Sequence, residues 1–187
     1  MYQICVSGAA KGDSVEEGKE LAIKLGAAIA HAGHSLLTGA TIGLPNYAAE
    51  GYKAAGGTMS VGISPASSKI EHVRKYRLPT KAYDTIIYTG LHYVGRDTLL
   101  ITSSDAVVSI GGRLGTLHEF TIAMETDTPI GFLQGAGGIS DEIQTLMNLA
   151  HPLRHGAFVA FDDDADKLIT ELTKFLDNEH KKYPDLY

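Results

Sequence analysis

The chain of 187 residues contains one cysteine, Cys5. It has no partner within the chain, which fits a reducing compartment and excludes a disulfide framework. Long apolar runs are missing too. Lys24 and several glycines interrupt the best candidate well short of the roughly 18 residues of a membrane span. The N-terminus, Met-Tyr-Gln-Ile-Cys-Val, has no basic region before an apolar core, so no signal peptide is expected. Basic residues are in deficit, 16 against 22 acidic ones, for a net charge of −6. That balance argues against a nucleic-acid partner, though not against a small anion, and keeps a small domain soluble. A cytoplasmic protein with neither membrane nor nucleic acid as partner is expected.

Metal-ligand patterns are incomplete. His118-Glu119 begins like a zinc-binding His-Glu-x-x-His, but Ile122 takes the second histidine's place. His151 and His155 are separated by Pro152, which a regular helix does not accommodate. Asp162, Asp163 and Asp164 precede a helical pattern, where acidic residues are favoured by the helix dipole. No metal and no resident cofactor is expected.

Hydrophobic residues make up 44% of the chain and charged residues 20%, so it is long and apolar enough to fold around its own core. Short apolar runs alternate with helical patterns. The expected strands are Gln3–Ser7, Ser35–Thr38, Met59–Ile63, Thr85–Tyr88, Ala106–Ile110, Pro129–Leu133 and a weaker Ala157–Phe161. These runs are apolar throughout, as parallel strands covered on both faces must be. A first helix from about Val15 to Ala32 is expected, with Ser14 and Glu17 as a capping box, Gly33 as its stop and Leu21, Leu25 and Ile29 as its buried stripe. A last helix carries Leu168, Ile169, Leu172, Phe175 and Leu176. The alternation predicts a three-layer, doubly wound, mostly parallel α/β sheet of Rossmann type, one domain over 1–187. The stretch from Ile63 to Thr85 has no clear period. It carries Lys69, Arg74, Lys75, Arg77 and Lys81, which reads as a solvated loop or as a lid bringing positive charge over an anion. Tyr83, Tyr88 and Tyr93 belong either to the core or to an interface.

Glycine is abundant, 21 residues. Three glycine-rich turns follow the first, second and fifth strands: Ser7-Gly8-Ala9-Ala10-Lys11-Gly12, Thr38-Gly39-Ala40-Thr41-Ile42-Gly43 and Gly111-Gly112-Arg113-Leu114-Gly115-Thr116. In an open parallel sheet the ligand crevice lies at this strand edge. Small residues let backbone approach a ligand there, and helix N-termini attract phosphate. Ser7, Gly8, Gly39, Thr41, Gly43, Gly111, Gly112, Arg113, Gly115 and Thr116 are therefore expected to hold a phosphorylated small molecule. Neither a P-loop nor Gly-x-Gly-x-x-Gly is present, which sets aside a nucleotide triphosphatase and an ordinary nicotinamide dehydrogenase. Arg96 and Glu119 stand beside these turns, on adjacent strand–helix units. A carboxylate there suits cleavage of a sugar–base bond, and an arginine suits substrate positioning. Thr116 and Glu119 also satisfy the pattern of a capping box, which would occupy the carboxylate locally.

Ser109-Ile110-Gly111-Gly112-Arg113-Leu114-Gly115-Thr116-Leu117-His118-Glu119 resembles the Pro-Gly-Gly-x-Gly-Thr-x-x-Glu signature of the lonely-guy (LOG), or "lysine decarboxylase-like", Rossmann superfamily. Thr38–Leu44 resembles that family's second glycine turn, and Ile4–Gly8 its first strand and turn. Arg96 precedes Glu119 by 23 positions, the separation of the family's catalytic pair. The likeness implies a homodimer or larger oligomer that hydrolyses a nucleoside 5′-monophosphate to free base and ribose 5-phosphate, with Arg96 and Glu119 as the catalytic residues. Three positions depart from the pattern. Gly111 replaces its proline, Arg113 its second glycine, and Asp97 the lysine after the arginine. The Gly95-Arg96-Asp97 stretch is similar to a sister branch that includes molybdenum-cofactor carrier proteins. That branch implies a binding or carrier protein without turnover.

Overall fold

The computed structural model describes residues 1–150 and 158–183. Seven strands, β1 (Gln3–Gly8), β2 (Ser35–Thr38), β3 (Ser60–Ser64), β4 (Thr85–Tyr88), β5 (Ala106–Ile110), β6 (Ile130–Leu133) and β7 (Val159–Asp162), alternate with seven helices. The helices are α1 (Asp13–His31), α2 (Leu44–Ala54), α3 (Lys69–Arg74), α4 (His92–Thr102), α5 (Leu114–Glu125), α6 (Ile139–Ala150) and α7 (Ala165–His180). The strands form one sheet in the order β4-β3-β2-β1-β5-β6-β7, and every pairing is parallel. The chain winds outward from β1 to β4, returns to β5 on the other side of β1, and winds outward again. The reversal lies between β1 and β5, where Ser7 pairs with Ser109 and Gly8 with Ile110. A crevice must open outside the carboxyl ends of the strands at such a point.

Alternate residues of each central strand feed two different cores. Ile4 and Val6 pack under α1, α2 and α7 with Leu25, Ile29, Tyr52 and Leu172. Cys5 faces the other way, with Leu100, Phe120, Phe132 and Ile143 of α4, α5, β6 and α6. Burial on both faces explains why these strands read as continuous apolar runs. Helices α1 and α2 approach very closely. A Cβ on Gly26 would stand 1.8 Å from the carbonyl oxygen of Ala48.

One local expectation fails at the start of α1. The capping box at Ser14 and Glu17 does not form. The chain turns at Gly12 (φ 101°), α1 starts at Asp13, and Ser14 falls inside its first turn. At the other end, Gly33 (φ 72°) stops α1 as expected, with Leu25 and Ile29 buried and Leu21 half-buried. The patternless stretch holds a short helix, α3, whose Ser68 cap accepts from Glu71 N at 3.2 Å. All five basic residues of that stretch are exposed. The acidic triplet is used locally: Asp164 caps α7 by accepting from Lys167 N at 3.1 Å, and Asp162 accepts from Asp164 N at 2.8 Å. Strand β7 begins at Val159 rather than Ala157, and Ala157, Pro152, His151 and His155 lie outside the described residues. Among the described residues no helix is long and apolar enough to cross a membrane.

Candidate functional site

A cleft of about 260 Å³ opens at the reversal point. The turn after β1 supplies Ser7, Gly8 and Lys11, and the turn after β2 supplies Gly39 and Thr41. Helix α4 contributes Tyr93, Arg96 and Asp97, and the start of α5 contributes Arg113, Gly115, Thr116 and Glu119. The first amides of α5 have no acceptor within the helix, and two of their residues, Gly115 and Thr116, line the cleft.

Its buried charges are Arg96, Asp97 and Glu119, 4%, 5% and 8% exposed. Arg96 lies flat over Gly39, where a Cβ would stand 1.7 Å from Nη1. Only glycine leaves room for the guanidinium at that place. Arg96 Nη1 is 3.9 Å from Glu119 Oε1, and Arg96 Nε is 3.4 Å from Asp97 Oδ1 without hydrogen-bond geometry. Ser7 Oγ donates to Glu119 Oε2. The other oxygen of Asp97, Oδ2, is 3.2 Å from His118 Nδ1 at the rim. The ring of Tyr93 covers the guanidinium, 5.9 Å from centroid to Cζ.

Two buried carboxyl groups around one guanidinium cannot both ionise freely. Burial pushes the Glu119 acid up to about 7, and the nearby charge of Asp97 adds to the rise. Arg96 and the Ser7 hydrogen bond pull the other way. Burial also raises the Asp97 acid, against the attraction of Arg96 and His118. Behind the cleft, burial holds the Cys5 thiol well above its ordinary range, so it stays protonated.

Of the expected site residues, Arg96, Glu119, Ser7, Gly8, Gly39, Thr41, Arg113, Gly115 and Thr116 meet in the cleft. Gly43, Gly111 and Gly112 stand behind its wall. Gly43 (φ 81°) caps α2 and seats the second turn under the first, with Leu44 N donating to Ala9 O at 2.8 Å. The carbonyls of Gly111 and Gly112 accept from Ser140 N and Ile139 N, which fastens the third turn to α6. Glu119 does not cap its own helix. Helix α5 starts at Leu114, so Glu119 sits in its second turn and its carboxylate goes to Ser7. Lys11 and Tyr93 were not expected there. Lys11 had a signal, its place inside a glycine-rich turn, whereas Tyr93 reaches the cleft, and His118 reaches Asp97, through helix orientation alone. The three tyrosines do not cluster: Tyr83 bonds Thr38 Oγ1 at 2.9 Å, Tyr88 meets the His72 ring edge-on, and Tyr93 is at the rim. No group of three metal-ligating side chains occurs among the described residues.

A protein of Archaeoglobus fulgidus is 34% identical to this chain over 134 residues, 72% of this chain and 81% of that protein. Among solved structures, TM1055 superposes with a TM-score of 0.76 at 26% identity, covering 91% of this chain and 99% of the other. The molybdenum cofactor carrier protein of Chlamydomonas reinhardtii superposes with a TM-score of 0.73 at 29% identity, covering 94% and 98%. The model of the SLOG cluster4 family matches residues 1–166, glycine turns and Arg96–Glu119 pair included, and the chain belongs to that family.

Proposed function

We propose that the cleft binds a phosphorylated, nucleotide-like small molecule and that the protein carries or senses it. The phosphate would rest on the first amides of α5 at Gly115 and Thr116, with Lys11 and Arg113 beside it and Arg96 reaching it from below. One observation carries this reading: a guanidinium 4% exposed lines the crevice of a parallel sheet together with Gly115 and Thr116 at the start of α5. Its charged N–H groups are the kind of donor that binds a phosphate strongly. The likeness to a molybdenum cofactor carrier along nearly the whole chain supports carriage, and makes that cofactor and nucleoside 5′-monophosphates the ligands to try first.

A second reading, hydrolysis of the N-glycosidic bond of a nucleoside 5′-monophosphate, is favoured by Glu119. An acid at about 7 beside a ribose exchanges a proton readily near neutral pH, as a general acid or base must. In this reading Arg96 orients the ligand and Glu119 assists ribose cleavage. By the family resemblance a homodimer is the working assembly in either case.

Incubation with AMP, GMP, CMP, UMP and IMP, with chromatography for free base and ribose 5-phosphate and parallel thermal scans, separates the two. Stabilisation without base release is the expected result. Base release that disappears in Glu119→Gln establishes the hydrolase instead. No stabilisation by any monophosphate or by the molybdenum cofactor sinks the binding reading.

A further inference from the structure

Each oxygen of the buried Asp97 carboxylate stands beside a different basic side chain. Its Oδ1 lies 3.4 Å from Arg96 Nε, and its Oδ2 lies 3.2 Å from His118 Nδ1. The two cations differ in access. Arg96 is sealed in at 4% side-chain exposure, while the side chain of His118 is 38% exposed. Asp97 and Arg96 are also consecutive in α4, an arrangement in which side chains do not ordinarily face one another. Here the guanidinium fits into the room that Gly39 leaves, and its Nε comes within 3.4 Å of Asp97 Oδ1.

We propose that Asp97 is a positioning residue that couples His118 at the rim to Arg96 in the cleft, so that protonating His118 frees Arg96 to engage an anionic ligand. A neutral His118 leaves the Asp97 charge to Arg96 alone, and the guanidinium is partly neutralised. A charged His118 competes for the same carboxylate, and more of the positive potential of Arg96 is directed into the cleft. Imidazole changes charge within the physiological range, which makes it the fitting sensor. Other groups stand near this carboxylate: Glu119 from α5, whose charge couples to it, the thiol of Cys5 from β1, and Tyr93, Lys11 and Arg113, which line the same cleft. They are present equally in wild type and in a His118 variant, so a comparison of the two removes their contribution and that of the ligand's own phosphate. The inference rests on the proposed anion binding.

The test has two arms. Without ligand, the His118 titration is followed by NMR in wild type and in Asp97→Asn. Loss of the carboxylate is expected to move that midpoint down, because a paired carboxylate favours imidazolium. An unmoved midpoint overturns the coupling whatever the protein binds. With ligand, the affinity for AMP and for ribose 5-phosphate is measured from pH 5.5 to 8.5 in wild type and His118→Gln. Wild type is expected to bind about three- to tenfold more tightly than His118→Gln at pH 5.5 and equally at pH 8.5, by the reciprocity of coupled binding. That difference is expected to vanish in the Asp97→Asn background. The same difference with and without Asp97 refutes the relay, since His118 then acts on the ligand directly. Absence of any anion binding by wild type removes the binding reading and this inference with it, whereas the ligand-free arm fails on its own.

Discussion

Substituting Glu119 by glutamine should make the protein more stable at neutral and alkaline pH. The replacement keeps the shape and an acceptor for Ser7 Oγ, and removes an acid that the fold holds protonated up to about pH 7. The folded protein raises this acid from its ordinary 4.5 to about 7. A rise of that size, at about 1.4 kcal/mol per unit, corresponds to about 3 kcal/mol. Its sign follows from where the proton sits. Below pH 4.5 both the folded and the unfolded chain hold it, and Glu119 adds no pH dependence. Between 4.5 and 7 the unfolded chain ionises while the folded one does not, so stability falls as pH rises, and the loss is complete above about 7. Glutamine has no such slope. The attraction of Arg96 is already contained in the shift and needs no separate term. Urea unfolding of both proteins at pH 5, 6, 7 and 8 is therefore expected to show Glu119→Gln gaining on wild type by about 2–3 kcal/mol across that range. In a chain of this length the gain corresponds to roughly 5–10 °C in Tm. Parallel stability curves, or a wild type that gains on the variant with rising pH, would refute the claim that burial and Asp97 hold this carboxyl neutral.

Two other substitutions separate the cleft from the scaffold. Gly39→Ala places a methyl 1.7 Å from Arg96 Nη1, the free end of a flexible side chain, so the guanidinium must leave while the backbone stays. Calorimetric titration with AMP is expected to show affinity down by about tenfold or more, the loss of one charge-assisted contact, with the circular dichroism spectrum unchanged. Gly26→Ala places its methyl 1.8 Å from the Ala48 carbonyl oxygen, which is backbone, so α1 and α2 must separate. Denaturant unfolding is expected to show a loss of about 2–3 kcal/mol, the upper range for an overpacked site, and a loss below half of that would mean the helices slide apart at little cost.

How much of this was legible beforehand depended on whether the deciding contacts were local. The central strands were, because Ile4, Val6, Val107 and Val108 are buried on both faces and leave an uninterrupted apolar record. Strand order around the sheet was not, since periodicity says which face is covered and nothing about the neighbour. Helix α3 is six residues long, too short for a period. Its signal was nevertheless there in Ser68 and Glu71, spaced as a capping pair. Two other such pairs misled for an opposite reason. At Ser14 the positive φ of Gly12 had already set the helix start. At Thr116 the Glu119 carboxylate found Ser7, 112 residues away, and a buried hydrogen bond outweighs an exposed cap. Arg96 and Glu119 were legible as a pair from their spacing, but that Asp97 shares Arg96 with His118 depends on how α4 and α5 cross, which no local pattern records.

The two charged departures from the LOG signature make sense as one change. Relative to that pattern, Asp97 stands where a lysine is usual and Arg113 where a glycine is usual. The first exchange takes two positive charges out of the cleft and the second returns one. Both side chains border the same space, so the net effect is one extra negative charge next to Arg96. A buried site tolerates such an excess poorly, because little solvent screens it. The raised acid of Glu119 absorbs it: with the proton on, Asp97 and Arg96 balance, and the remaining cations, Lys11 and Arg113, face the opening where the amides of α5 converge. A cleft arranged in this way balances Arg96 against Asp97 in its interior and adds the charges of Lys11 and Arg113 along its walls. That arrangement suits capture and release of an anion better than it suits a carboxylate kept permanently ionised against a developing oxocarbenium, which is the physical ground for placing carriage ahead of hydrolysis.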